Sequence, residues 1–174
     1  LIVCVDIEHI SGKEAMEPIR IFVSPAQAEN LRDRAALAVK ELERTGAFDR
    51  EYLIVSTPTG SGWVEPAAAA AVEYLHDGNT AQVAMQYSFL PSWMALLAER
   101  QSATDSGRAL FEEVSAKVRS LPQDNRPKLI LNGLSLGAYG SQSAFTSDSD
   151  FALRVDGALY FGNPGFSQPW GYFT

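Results

Sequence analysis

The feature that most restricts this chain is a repeated alternation: apolar runs of five to eight residues separated by longer stretches of helical periodicity, from Ile19 onwards. Ile19 to Ser24 reads as a first strand, and Glu51 to Ser56 as a second. Thr80 to Tyr87, Lys128 to Asn132 and Val155 to Phe161 read as three more. Between them, Gln27 to Thr45 carries Leu31, Ala35, Ala38 and Leu42 on one face, with Arg32, Arg34, Lys40 and Glu43 elsewhere and Gly46 as its stop. Pro66 opens an alanine-rich helix to about His76, whose small side chains let it lie close to a neighbour. Leu90 to Leu121 reads as mostly helical with a break near Ser106 and Gly107, and Leu136 to about Phe145 as the next helix. Parallel neighbours need a long connection to return to the same edge of a sheet, so this order predicts an α/β fold with a mostly parallel sheet and helices on both faces.

At 174 residues the chain supports one domain, read here as a lead-in over 1–16 and a domain over 17–174. Fourteen Lys and Arg against 21 Asp and Glu give a formal net charge of -7, the wrong sign for neutralising nucleic-acid phosphates. Cys4 is the sole cysteine, which excludes an internal disulfide and a cysteine-rich zinc site. Apolar runs such as Ala67 to Val72 fall far short of the roughly 18 residues of a membrane span. The chain opens at Leu1 without an initiator Met and stops at Thr174 in an aromatic stretch, so it reads as a piece of something longer.

Gly133-Leu134-Ser135-Leu136-Gly137 has the spacing of a nucleophile elbow. The pentapeptide is short, and its surroundings carry the reading. Leu129 to Leu131 supplies the strand, Gly133 and Gly137 the small neighbours of a sharp turn, and the residues from Leu136 a helix start. Ser135 is therefore the candidate nucleophile, with the Leu136 N–H at a helix N-terminus as a first donor to an oxyanion. In an α/β hydrolase, whose elbow this one resembles, the second donor comes from the loop after the strand two positions earlier in chain order, which here is Thr57 to Trp63. Gly60 and Gly62 can turn an amide towards the site, and Ser61 adds a hydroxyl. Loops at the strand ends also offer candidate lining: Trp63, then Phe89 and Trp93 as an acyl-binding wall or as core packing, and Asn163 in Gly162 to Phe166.

Six blocks, Pro18 to Val23, Glu41 to Asp49, Thr57 to Trp63, Glu73 to His76, Gln86 to Trp93 and Gly133 to Gly137, resemble a family of bacterial membrane-associated α/β-hydrolase proteins. The likeness runs from Glu17 to the end. It implies a serine hydrolase of esterase, lipase or thioesterase type acting through an acyl-enzyme on a small-molecule or lipid ester. It also implies membrane attachment through helices outside this chain, on a side that the resemblance does not fix. The family's serine is often preceded by an acidic residue, and Leu134 stands there instead. This chemistry asks for no cofactor and no metal.

The chain order in such enzymes is Ser, acid, then His, yet His9 and His76 both precede Ser135. His76 reads as a helix cap and His9 as a surface residue. Asp148 and Asp150 read as an exposed loop, and Asp156 stands where the fifth strand begins, away from an active end. The acid and histidine are thus expected beyond Thr174, and the chain alone is expected to be nearly inactive. Two other readings stay open: an inactive hydrolase-fold scaffold, and a phosphate or nucleotide cradle built from Thr57 to Trp63 ahead of a helix. The latter has Glu65 where the third glycine of G-x-G-x-x-G belongs.

Overall fold

The computed structural model describes residues 4–90, 94 and 98–167. Five parallel strands form one sheet: β1 (Ile19–Val23), β2 (Tyr52–Thr57), β3 (Thr80–Met85), β4 (Lys128–Leu134) and β5 (Gly157–Phe161), in the order β1-β3-β2-β4-β5. The expected α/β class is what the chain adopts. β3 is buried at every residue and β2 at all but its first, whereas β1 and β5 form the half-exposed edges. Strands covered on both faces need apolar residues at successive positions, which is why these two read as continuous apolar runs.

The helices are α1 (Cys4–Ser11), α2 (Leu31–Arg44), α3 (Pro66–Leu75), α4 (Arg100–Ser120), α5 (Leu136–Gln142) and α6 (Asp148–Arg154). The chain passes from β1 over β3 to β2, turns back to β3, then crosses β2 to reach β4 and β5. Right-handed crossovers along this path put α2, α4 and α5 on one face and α3 on the other. The packing agrees: α4 lies between α2 and α5, and α1 lies against α3 with Ile7 buried. The main core fills the α2–α4 side, where Leu42, Leu53, Val83, Leu110, Phe111 and Leu131 meet.

Four sequence expectations are corrected. The helix expected from Gln27 starts at Leu31, because Pro25–Gln27 forms a 3-10 turn and Asn30 caps the next helix by accepting from Asp33 N at 2.9 Å. No break occurs at Ser106 and Gly107. Both are buried inside α4, and a Cβ on Gly107 would lie 2.7 Å from Gly140 O, so this glycine serves a close helix crossing. Asp148 and Asp150 belong to α6 rather than a loop; Ser147 caps it by accepting from Asp150 N at 3.1 Å. The segment 1–16 contains a packed helix, α1.

Candidate functional site

β4 ends at Leu134, α5 begins at Leu136, and Ser135 makes the entire turn between them. Its backbone sits at φ 55 and ψ -123, a region that non-glycine residues occupy only under strain. Among the described residues only Asp77 shares a positive φ without being glycine. Neighbouring groups hold the turn on both sides. Ser135 N–H donates to Phe161 O at the end of β5 (2.8 Å), and Ser135 O accepts from Ala138 N (3.0 Å) to start α5. A Cβ on Gly133 would fall 2.7 Å from Ala138 Cα, and one on Gly137 would fall 2.1 Å from Thr57 O. Both glycines are thus required by the close approach of strand, helix and loop. The Ser135 side chain is partly exposed and its hydroxyl makes no hydrogen bond among the described residues.

β2 is the direct neighbour of β4, so the loop after it, Thr57 to Trp63, abuts the first turn of α5. Leu136 is buried, and its N–H has no acceptor one turn earlier, as for every first-turn amide. Within the loop, Thr59 N donates to Trp63 O (3.0 Å), and Trp63 N donates to Thr59 Oγ1 (3.2 Å). Gly62 N–H donates to Thr59 O (2.9 Å), which removes it from the candidate donors; its role is the turn itself, at φ 87. Gly60 and Ser61 keep N–H groups without an acceptor among the described residues, with Gly60 buried and Ser61 exposed. The Ser61 hydroxyl lies 3.4 Å from Thr59 Oγ1.

Two residues that sequence reasoning missed hold this loop. Gln86, just past β3, donates through Nε2 to Ser61 O (3.4 Å) and Ser88 O (2.6 Å). Arg34, read as an outward residue of the first helix, is instead buried, and its Nη1 donates to Gln86 O at 3.0 Å. Burial lowers its pKa from the ordinary arginine value. No local pattern marks either residue, since the partners lie 52 and 25 positions apart in the chain.

The candidate lining is spread around the same end of the sheet. Trp63 and Phe89 are exposed, so neither packs the core. Trp93 lies outside the described residues. Asn163 is partly buried, and its Oδ1 is buried without a hydrogen-bond partner among the described residues. Phe166, in the same loop, stands edge-on to Tyr139 of α5 (5.2 Å between rings) with Arg100 over its face (4.1 Å). Tyr87 packs with Ala103 against Leu136, and burial, reinforced by Glu99, pushes its hydroxyl pKa well up.

The histidines and aspartates stand elsewhere. His76 caps α3 and stacks on Tyr52 (3.8 Å), the first residue of β2 and therefore at the opposite end from Ser135. His9 is exposed on α1. Asp156 accepts from Leu129 N (2.8 Å) beside the start of β5, and Asp150 accepts from Thr146 N (3.0 Å). Among the described residues no cluster of three or more His, Cys, Asp or Glu is placed to hold a metal ion. The phosphate-cradle reading fails at α3, because the Glu65 side chain accepts from Ala67 N and puts a carboxylate where an anion would sit.

A strained serine at a helix start lies in the turn next to a neighbouring loop in which Gly60 N–H and Ser61 N–H have no acceptor among the described residues. No curated protein and no solved structure matches the chain. A family model, described as the alpha/beta-hydrolase family, matches residues 19–174, from the first residue of β1 through the elbow and beyond β5. The chain therefore belongs to the α/β-hydrolase family.

Proposed function

We propose that this domain is a serine hydrolase that cleaves an ester or thioester through an acyl-enzyme at Ser135. The observation that carries the reading is the backbone of Ser135, held at φ 55 and ψ -123 between β4 and α5. Strain of this kind costs on the order of 1–3 kcal/mol, and it persists where the surroundings over-determine it for a function. Leu136 N–H and the amides of Gly60 and Ser61 supply the oxyanion donors in this reading. Ser135 Oγ adds to the carbonyl carbon as its proton passes to a histidine base; the leaving alcohol or thiol takes that proton, and water then hydrolyses the acyl-serine.

The base and the carboxylate that orients it are assigned, in this reading, to residues outside this chain, following the chain order Ser, acid, His. Membrane attachment through segments outside this chain, implied by the resemblance, is part of the same proposal. Among the described residues no helix is long and apolar enough to cross a membrane. No cofactor is invoked. Treating the full-length protein with a fluorophosphonate probe tests the assignment: labelling that disappears in Ser135→Ala supports it. Absence of labelling in the wild type overturns it in favour of an inactive scaffold.

A further inference from the structure

A cavity of about 390 Å³ separates α3 from the sheet, within the size range of small-ligand sites. The alanine-rich helix has α1 as a close neighbour, and on the sheet side its small side chains leave this space. Pro66, Ala69, Ala70 and Glu73 line it from α3. Their spacing of 0, 3, 4 and 7 places them on one helix face.

The sheet side is set by register. Phe22, Ala84, Ser56 and Asn132 are aligned across β1, β3, β2 and β4, and Arg20 and Gln82 form the row two residues nearer the strand starts. The cavity runs from the Arg20 row at its floor to Ser56 and Val64 at its top. Ser56 accepts from Asn132 Nδ2 at 3.5 Å, and Asn132 precedes Ser135 by three residues. Val64 directly follows the Thr57–Trp63 loop. The two residues that flank the Thr57–Trp63 loop, Ser56 and Val64, thus line the top of the cavity, at the end of β2 beside β4.

The floor is polar but electrically matched. Arg20 Nε donates to Glu73 Oε1 (2.7 Å), Gln82 Nε2 donates to the same oxygen (2.8 Å), and Glu73 is 1% exposed. With its carboxylate already paired, the floor offers no net charge to an ionised group, and the walls above it are apolar.

We infer that this cavity receives the aliphatic acyl chain of the ester cleaved at Ser135, the chain entering beside the loop and ending, uncharged, above the Arg20–Glu73 pair. The inference rests on the Ser135 reading and names the substrate class for it. The length of chain accepted is limited by the ion pair, and the width by Ala69, Ala70 and Ala84.

Two measurements on the full-length protein separate this inference from its parent. The first is the ratio of kcat/KM for p-nitrophenyl octanoate to that for p-nitrophenyl acetate. Each methylene kept out of an apolar pocket is worth about fourfold. Filling the cavity by Ala69→Phe is thus expected to lower the ratio by roughly 10²-fold, the equivalent of three to four methylenes.

The second is binding of 1-decanol, a neutral alkyl probe, to Ser135→Ala by titration calorimetry. Binding that is lost when Ala69→Phe is added supports the cavity whatever Ser135 does. Should Ala69→Phe fail to fold, Ala70→Val narrows the same wall and is read in the same way. A chain-length ratio and decanol affinity unchanged in the folded variant overturn the inference. Esterase activity that survives Ser135→Ala overturns the parent reading, leaving the decanol arm as an independent test.

Discussion

The substitution Gly137→Ala is the sharpest probe of how the site is built. A Cβ at this position would lie 2.1 Å from Thr57 O, 2.5 Å from Pro58 O and 2.9 Å from Pro58 C. All three are backbone atoms, which no rotamer change can move. Real Cβ contacts essentially never fall below 3.0 Å, so α5 and the loop must separate by about 0.9 Å for the methyl group to fit. Helix propensity favours alanine over glycine by about 1 kcal/mol. Overpacking against rigid neighbours costs typically about 1–3 kcal/mol, and the backbone character of this clash puts the cost at the upper end.

The net expectation is a destabilisation of roughly 1–2 kcal/mol in urea unfolding, balancing those two effects. The separation also moves Leu136 N–H relative to Gly60 and Ser61. A misplacement near 1 Å of a preorganised group costs on the order of 10²-fold, so fluorophosphonate labelling of the full-length protein should slow by about that factor. Gly165→Ala is the control, because a Cβ there meets nothing within 4 Å. A Gly137→Ala variant as stable as wild type and labelled at the same rate would show that helix and loop do not touch as described.

Four other outcomes are expected. Ser135→Gly removes the hydroxyl and relieves the positive-φ strain, so it should abolish labelling while raising stability by about 1–3 kcal/mol in urea unfolding, whereas an unstrained turn gives no gain. Arg20→Met leaves the buried Glu73 carboxylate unpaired and should cost about 3–5 kcal/mol by the same measurement, most of it recovered in Arg20→Met/Glu73→Leu. Burial pushes Tyr160 from 10.0 up to about 12, partly offset by its hydrogen bond with Ser141. Below pH 10 both states keep that proton, and between pH 10 and 12 only the unfolded state loses it, so stability falls as pH rises through this window. The difference is at most roughly 2–3 kcal/mol, and Tyr160→Phe should flatten the alkaline limb of a urea-midpoint against pH series. Gly107→Ala should destabilise, since its Cβ would lie 2.7 Å from Gly140 O, whereas a helix-breaking glycine would give a gain of about 1 kcal/mol.

What could be read along the chain divides from what could not by the range of the contacts involved. β2 and β3 were legible because strands covered on both faces must be apolar at successive positions, and the elbow because its glycines, serine and following helix all lie within five residues. The start of α6 was equally local: Ser147 followed three residues later by Asp150 is a capping pattern, overlooked because the acidic cluster looked solvent-directed. Gly107 illustrates a different limit. A glycine that ends a helix and one that admits another helix look the same in sequence, and only the approach of Gly140 distinguishes them.

Arg34 marks the boundary most clearly. Its place on α2 made it one more charged residue away from the apolar stripe, and nothing nearby in sequence reveals that its guanidinium ends at Gln86 O. That contact has a consequence for the site. Arg34 fixes the Gln86 backbone, the Gln86 side chain holds Ser61 O, and Gly137 brings α5 against Thr57, so the loop is tied to three separate elements. A loop secured in this way can leave the Gly60 and Ser61 amides without an acceptor among the described residues and still not collapse onto them. Unpaired donors near a partly buried site otherwise cost free energy, and here the cost is carried by contacts that the loop's own seven residues could not supply. The chemistry of the elbow is thus written locally, while the rigidity that would make it effective is assembled from α2, from the segment after β3, and from the helix that follows Ser135.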